Sequence, residues 1–259
     1  MLFFLQNDTS DLKYEQMIVS DLIKESHFHT QTEVSLKDIS DKRLDNDMLR
    51  NIVIPVGSIE FVEKWAKQFW NIDHINPMEV PECLRIENFL KREYHIVPYD
   101  ELPEEGRWFF KDVSSLKAGS FVGYKHDIPE FFNTTHYNEH FYQYSEVIDD
   151  ILSEFRVYFI NGEIENVCNY DGLPYVHPDF VTIDLANKIF SRQEDYPGSY
   201  TMDIMVTNRG TSIIECHPFV CVGLYSTLWG QNLLSAYADG TLYVKKHNTA
   251  CYTKENSLC

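Results

Sequence analysis

Basic residues are scarce in this chain: 22 Lys and Arg stand against 40 Asp and Glu among 259 residues, a formal charge of −18. That balance opposes broad docking on phosphate backbones or anionic lipid, so nucleic acid is not an expected partner; a small anion in a local basic cleft is still allowed. No run of residues approaches the ~18 consecutive apolar side chains of a membrane span. The six cysteines (Cys83, Cys168, Cys216, Cys221, Cys251, Cys259) form no CxxC pair, which argues against a zinc cage or a disulfide framework and for reduced thiols. Met1 to Leu5 are apolar but too few for a signal peptide and lack a basic flank, so the cytoplasm is the expected compartment. Neither GxxxxGK nor GxGxxG occurs, which removes the Walker and dinucleotide-binding fingerprints.

What the chain does have is core-forming material. Hydrophobic residues make up 44% and aromatics 14%, which excludes global disorder. The length allows one large domain or two small lobes, since domains commonly run about 100–200 residues. Residues 2–5 read as a strand, and Tyr14, Met17, Ile18 and Leu22 recur on one helical face. Residues 26–47 are polar and poorly periodic. A buried-type strand at 52–56 precedes Gly57-Ser58, where Ser58 is the expected N-cap of a helix that turns Val62, Trp65 and Phe69 inward. These elements form a small α/β unit ending near Pro77 or Pro81.

Beyond it, Ile86, Phe89 and Leu90 mark a short helix, residues 107–113 a strand, 114–123 a small, polar segment, and 141–147 another strand. Trp65, Trp70 and Trp108 are core candidates; His126, His136 and His140 read as surface or loop. Strands at 155–160 and 163–167 flank Asn161-Gly162, a strong two-residue hairpin signal. Strands at 203–207 and 211–215 flank Asn208-Arg209-Gly210, with Gly210 in the left-handed position. Leu233, Leu234 and Tyr237 belong to a late helix that Gly240 is expected to end, and the tail after Lys245 reads as loose.

The second hairpin carries the chemistry. A three-residue loop pairs Thr207 with Thr211, Val206 with Ser212, Met205 with Ile213, Ile204 with Ile214 and Asp203 with Glu215. Two carboxylates then face each other with Cβ atoms roughly 4.5–5.5 Å apart, which is destabilising unless a cation or a shared proton intervenes. His217 shares that face. Such a set suits Mg²⁺ or Mn²⁺, fits a metal-dependent hydrolase as well, and also fits a plain solvated hairpin face. On the first hairpin Glu154, Arg156 and Tyr158 point away from Phe155, Val157 and Phe159, so Arg156 is placed to clamp a phosphate or to pair with an acid at the surface. Lys111 and Lys117 bracket the start of a small-residue segment whose backbone N–H groups can approach phosphates. Cys216 faces away from Glu215 and reads as core.

In this order, from near Pro81 to about Val244, the residues resemble the ATP-grasp superfamily: Lys111 with its loop, a hinge strand at 144–148, the acid-Arg strand at 153–158, then Met202-Asp203-Ile204 and Ile214-Glu215-Cys216-His217-Pro218. The chain departs from the family in having His217 where Glu-x-Asn ends in Asn, and Arg85 where an earlier Lys is usual. The resemblance implies an α+β architecture: two α+β lobes (about 80–145 and 146–245), a small α/β domain before them (1–79) and a tail (246–259). It implies ATP bound through Arg85, Lys111 and Lys117 on the phosphates, Glu146, Val147 and Ile148 on the adenine, and Glu154 on the ribose. Arg156 would meet phosphates or an acyl intermediate, Lys117 would ride on a lid, and Asp203, Glu215 and His217 would hold Mg²⁺ (or Mn²⁺). The implied activity is ligation of a small-molecule or peptide carboxylate to an amine, with release of ADP and phosphate. A phosphotransferase sharing the same ATP site, and a non-catalytic nucleotide-binding module acting through a partner, are the alternatives.

Overall fold

The computed structural model describes residues 1–8, 13–41, 53–114, 119–226 and 229–248. The first unit runs β1 (Leu2–Gln6), α1 (Lys13–Glu25), β2 (Thr30–Val34), α2 (Leu36–Ser40), β3 (Val53–Val56) and α3 (Ile59–Trp65), with a parallel sheet in the order β2-β1-β3. Strand β2 lies in the stretch without periodicity. It pairs on one side only and buries Val34 alone, so nothing required its side chains to alternate. Helix α1 buries Val19, Leu22 and Ile23 and leaves Met17 54% exposed, so its inner face is rotated from the expected one. Ser58 caps α3 as its sequence position implies, accepting from the Phe61 N–H at 3.2 Å. Trp65 packs edge-on against Phe4 in the core, whereas Trp70 is half-buried.

The second unit comprises α4 (Glu87–Leu90), β4 (Tyr94–Pro98), β5 (Trp108–Asp112), β6 (Ser120–Gly123), α5 (Ile128–Phe131) and β7 (Phe141–Ser145), with an antiparallel sheet in the order β4-β7-β5-β6. Its buried core is small: Leu102, Phe110, Ile128 and Tyr142. Strand β6, in the segment expected to be merely small and polar, is one of its two edges. Trp108 is half-buried, its Nε1 donating to the Glu105 carbonyl at 3.1 Å. His140 is not a free surface group. Its Nδ1 lies 2.7 Å from Oδ2 of buried Asp112, whose Oδ1 accepts from the Ser114 N–H at 2.8 Å. That pair fastens the chain just before Lys117, which lies outside the described residues.

The third unit holds β8 (Ser153–Ile160), β9 (Glu163–Gly172), α6 (Phe180–Phe190), β10 (Tyr200–Thr207), β11 (Gly210–Pro218) and α7 (Asn232–Asn248), with an antiparallel sheet in the order β11-β10-β8-β9. Asn161 (φ +52°) and Gly162 (φ +82°) make the expected turn. One face of the sheet sends Phe155, Val157, Phe159, Met202, Ile204 and Cys216 against Ile183, Ala186 and Phe190 of α6. Burying each such aromatic or aliphatic side chain contributes about 1.5–3 kcal/mol. On the other face Tyr158 and Ile160 meet Leu233, Leu234 and Tyr237 of α7, in the same core as Phe3, Leu5, Ile54 and Val56 of the parallel sheet. Helix α7 does not stop at Gly240. There it presses on the chain after β11, and a Cβ would stand 2.4 Å from the Phe219 carbonyl oxygen. The helix therefore carries Lys246 to Asn248, and residues 249–259 lie outside the described ones.

Candidate nucleotide and metal site

The hairpin of β10 and β11 does not follow the expected register near its turn. Thr207 pairs with Gly210, Val206 with Thr211, Met205 with Ser212 and Ile204 with Ile213. A bulge then leaves Ile214 unpaired, after which Asp203 pairs with Glu215, Met202 with Cys216 and Thr201 with His217. The carboxylate pair is thus the expected one, while the four pairs nearer the turn are displaced by one residue. Gly210 takes φ +101°, as its turn position requires, yet already pairs. The bulge decides the chemistry. Without it Asp203 would face Ile214, and Glu215 would face Met202, whose side chain is in the core. One extra residue turns Glu215 to the open face.

On that face one ligand atom each of Asp203, Glu215 and His217 lies within 4.8 Å of the others. Arg156, opposite Asp203 on β8, donates from Nε and Nη2 to the two Asp203 oxygens at 2.7 Å each. Lys111 reaches from β5, in the other sheet, to Glu215 Oε2 at 2.7 Å, and His217 Nε2 stands 2.8 Å from Glu215 Oε1. Each carboxylate is matched by a cation from a different strand, which relieves the like-charge pair. Burial alone would push the Glu215 carboxyl up; the His217 imidazole and the Lys111 ammonium override it and hold the group well below the usual carboxylate range. Burial opposes the charge on Lys111, and Glu215 and Glu79 more than offset it, so its pKa is raised. Arg156 follows the same logic, with Asp203 outweighing desolvation. Two carboxylates and an imidazole are a donor set that fits Mg²⁺ or Mn²⁺, and an oxygen that accepts one hydrogen bond keeps a second lone pair for an ion.

Beside the cluster a cleft of about 250 Å³ opens between the two antiparallel sheets. Lys111, Glu154 and Glu215 border it, and Phe109, Val122, Ile148, Ile151 and Met205 form apolar walls. Burial shifts the Glu154 carboxyl upward from its ordinary value, although a hydrogen bond from Tyr170 opposes the shift. Glu146, Val147 and Ile148, which the resemblance assigns to an adenine, line the cleft. The Glu146 N–H already donates to the Glu93 carbonyl at 3.1 Å, however, and its carboxylate takes both Arg209 Nη1 (2.9 Å) and Nη2 (2.7 Å). Arg85 is not brought into the lining: its Nε donates to the Val80 carbonyl at 2.7 Å. The arginine that borders the cleft is Arg92.

Arg92 escapes sequence reasoning because Lys91-Arg92-Glu93 looks like an ordinary charged run. So does Tyr170, the extra residue where β9 bulges between Asn169 and Asp171. Together with Tyr225 it flanks the Arg156 guanidinium, whose carbon lies 6.0 Å and 5.1 Å from the two ring centres. Tyr225 is placed by Tyr158, whose hydroxyl donates to the Gly223 carbonyl (2.7 Å) and accepts from the Tyr225 N–H (3.0 Å). Cys216 is fully buried on the opposite face, as its alternation with Glu215 implies.

Solved ATP-grasp proteins share this architecture. D-alanine–D-alanine ligase from Bacillus anthracis, complexed with ATP, superposes with a TM-score of 0.55 at 12% identity over 95% of this chain and 99% of its own. A RimK domain ATP-grasp protein from Sphaerobacter thermophilus gives 0.55 at 10% identity over 96% and 100%. D-cycloserine synthetase DcsG gives 0.53 at 8% over 95% and 99%. At these identities the likeness shows the fold. No curated protein matches the sequence. Among the described residues no helix is long and apolar enough to cross a membrane. The sequence itself matches the profile of the ATP-grasp domain, R-2-K clade family 2, over residues 89–231, more than half of its length, and the chain belongs to that family.

Proposed function

We propose that the protein is an ATP- and Mg²⁺-dependent ligase that activates a carboxylate as an acyl phosphate, lets an amine displace the phosphate, and releases ADP. The observation that carries this reading is the cluster of Asp203, Glu215 and His217 beside an apolar-walled cleft that Glu215 borders, with Lys111 and Arg156 on the two carboxylates. A carboxylate is a poor acylating agent, and phosphoryl transfer to it is mainly a problem of positioning and charge neutralisation. In this reading residues 80–145 and 146–245 are the two lobes that close on the nucleotide.

The backbone of Val147 and Ile148 would meet the adenine between Phe109, Val122 and Met205, and Glu154 would accept from the ribose hydroxyls. Asp203, Glu215 and His217 would hold the ion, which when bound neutralises phosphoryl oxygens. Lys111 and Arg156 would leave their carboxylates for phosphate oxygens, so each ion pair is exchanged for another and no charge is stranded. Arg156 would then orient the acid beside Tyr170 and Tyr225, and the segment bearing Lys117 would exclude water. That a D-alanine–D-alanine ligase and a D-cycloserine synthetase share the fold supports this chemistry over a phosphotransferase.

Mg²⁺-ATP should raise the thermal midpoint, the gain approaching about 2.7 kcal/mol at a hundredfold excess over Kd. ADP release should require both an acid and an amine, screened among amino acids and small peptides. Asp203→Asn and Glu215→Gln should abolish it. Arg156→Ala should weaken the nucleotide response while Arg192→Ala leaves it unchanged. ADP formed with an acid or alcohol alone, with no amine incorporated, would replace the ligase by a phosphotransferase.

A further inference from the structure

We infer that Arg92 is a positioning residue for the metal ligands: it clamps the β11 bulge that turns Glu215 and His217 toward Asp203. The inference rests on reading those three residues as the ion's ligands. Arg92 is 8% exposed, yet among the described residues no carboxylate lies within hydrogen-bonding distance of it. Its Nη1 donates to the Ile213 carbonyl at 2.6 Å, to Ser212 Oγ at 3.3 Å and to the Leu90 carbonyl at 3.2 Å, and its Nη2 donates to the Ile214 carbonyl at 3.3 Å. Three of these four acceptors are consecutive residues of β11, and they end at the bulged Ile214, immediately before Glu215.

A buried guanidinium without an anion is unfavourable unless its donors are used, and here they are used on one irregular stretch of backbone. A bulge exposes carbonyls that the ladder no longer satisfies, and a planar fork can take two neighbouring ones at once. A lysine ammonium has three donors but all on one nitrogen, without the rigid fork that sets Nη1 against the Ile213 carbonyl and Nη2 against the Ile214 carbonyl. Arg92 is itself held at the end of α4, just after Lys91 at φ +50°, and α4 packs on β11. Because loss of the bulge would swing Glu215 to the core face, the clamp acts on ligand geometry from outside the ligand set. Partners one step removed from a metal are commonly worth about 10–100-fold in affinity.

The test is Mn²⁺ binding to the full chain without nucleotide, followed by EPR, for the wild type, Arg92→Lys, Arg92→Met and Ser212→Ala, alongside thermal unfolding and amide exchange. Arg92→Lys should bind Mn²⁺ about 10–100-fold more weakly and speed exchange at the Ile214 and Glu215 amides, with β8 amides unchanged. Arg92→Met, which keeps the apolar stem and removes every donor, should lose at least as much Mn²⁺ affinity. Ser212→Ala, which keeps both carbonyl bonds, should behave like wild type. Should Arg92→Lys bind Mn²⁺ like wild type and lose only nucleotide affinity, Arg92 is a nucleotide contact and the inference is wrong. It is equally wrong if the variant melts early but its folded fraction keeps full Mn²⁺ affinity. A wild type that binds no Mn²⁺, with Asp203→Asn indistinguishable from it, would instead overturn the metal reading, and the inference with it.

Discussion

Strand β10, inside one antiparallel sheet, buries all eight of its residues, whereas β6, at the edge of the other, buries Gly123 alone. The first sheet is covered on one face by α6 and on part of the other by α7. The second rests on Leu102, Phe110, Ile128 and Tyr142, with Phe131 and Phe141 about half exposed. The carboxylates sit on the first sheet; Lys111 and the segment around Lys117 come from the second. In the proposed reading these carboxylates hold an ion, which needs fixed geometry, so they belong on the element that resists opening. A cover that admits a substrate belongs on one with few buried contacts and a low local opening energy. The Lys111–Glu215 ion pair joins the two.

The comparison can be broken most forcefully through the cores. Phe159→Ala, on β8, should lower global stability by about 3–5 kcal/mol, read by urea unfolding. Phe110→Ala, on β5, should strip amide protection from β5 and β6 and remove ATP binding while the β10 amides stay protected. If both variants lose protection everywhere at once, the two sheets are a single cooperative unit.

Asp203→Asn leaves the Arg156 charge largely buried and unpaired, and should lower stability by about 3 kcal/mol. Adding Arg156→Met should recover much of it, since no charge is then stranded. Lys111→Met tests the link between the sheets. Its partner Glu215 is 29% exposed and keeps His217 at 2.8 Å, so the loss should be about 1 kcal/mol and should show up as faster exchange in β5, not in β10.

The smallest effect is expected at Glu79. Burial raises its pKa above the ordinary 4.5 despite Lys111 nearby, and its Oε1 is buried without a hydrogen-bond partner. A raised acid is favoured in its protonated form by the fold, so its ionisation weakens the folded state at neutral pH. Glu79→Gln should therefore raise the thermal midpoint at pH 7. The gain should shrink as pH falls through the raised value and vanish below 4.5, where both folded and unfolded chains are protonated. A gain that is independent of pH would assign the effect to packing.

How far the site is legible in the sequence follows from where its determinants lie. The Asn161-Gly162 turn, the Ser58 cap and the burial of Cys216 depend on neighbours a few residues away, and all three are legible. Asp203 and Glu215 emerge as a pair even from the wrong turn register, because the parity of buried and open positions past the bulge comes out the same. Strands β2 and β6 give no periodic signal because an edge strand need not alternate. Gly240 looks like a helix end, but its reason is the Phe219 carbonyl. Spacing along the chain favours Arg85 over Arg92, and spacing does not show which guanidinium faces the cleft.

Residue types, turns, caps and the order of the elements were set by the chain locally, since φ preferences and side-chain alternation act over a few residues. The bulge at Ile214, the Arg92 clamp on β11 and the grip of Lys111 on Glu215 were decided in three dimensions. The Arg92 and Lys111 contacts join residues more than 100 positions apart, and no local preference specifies which of several faces will meet.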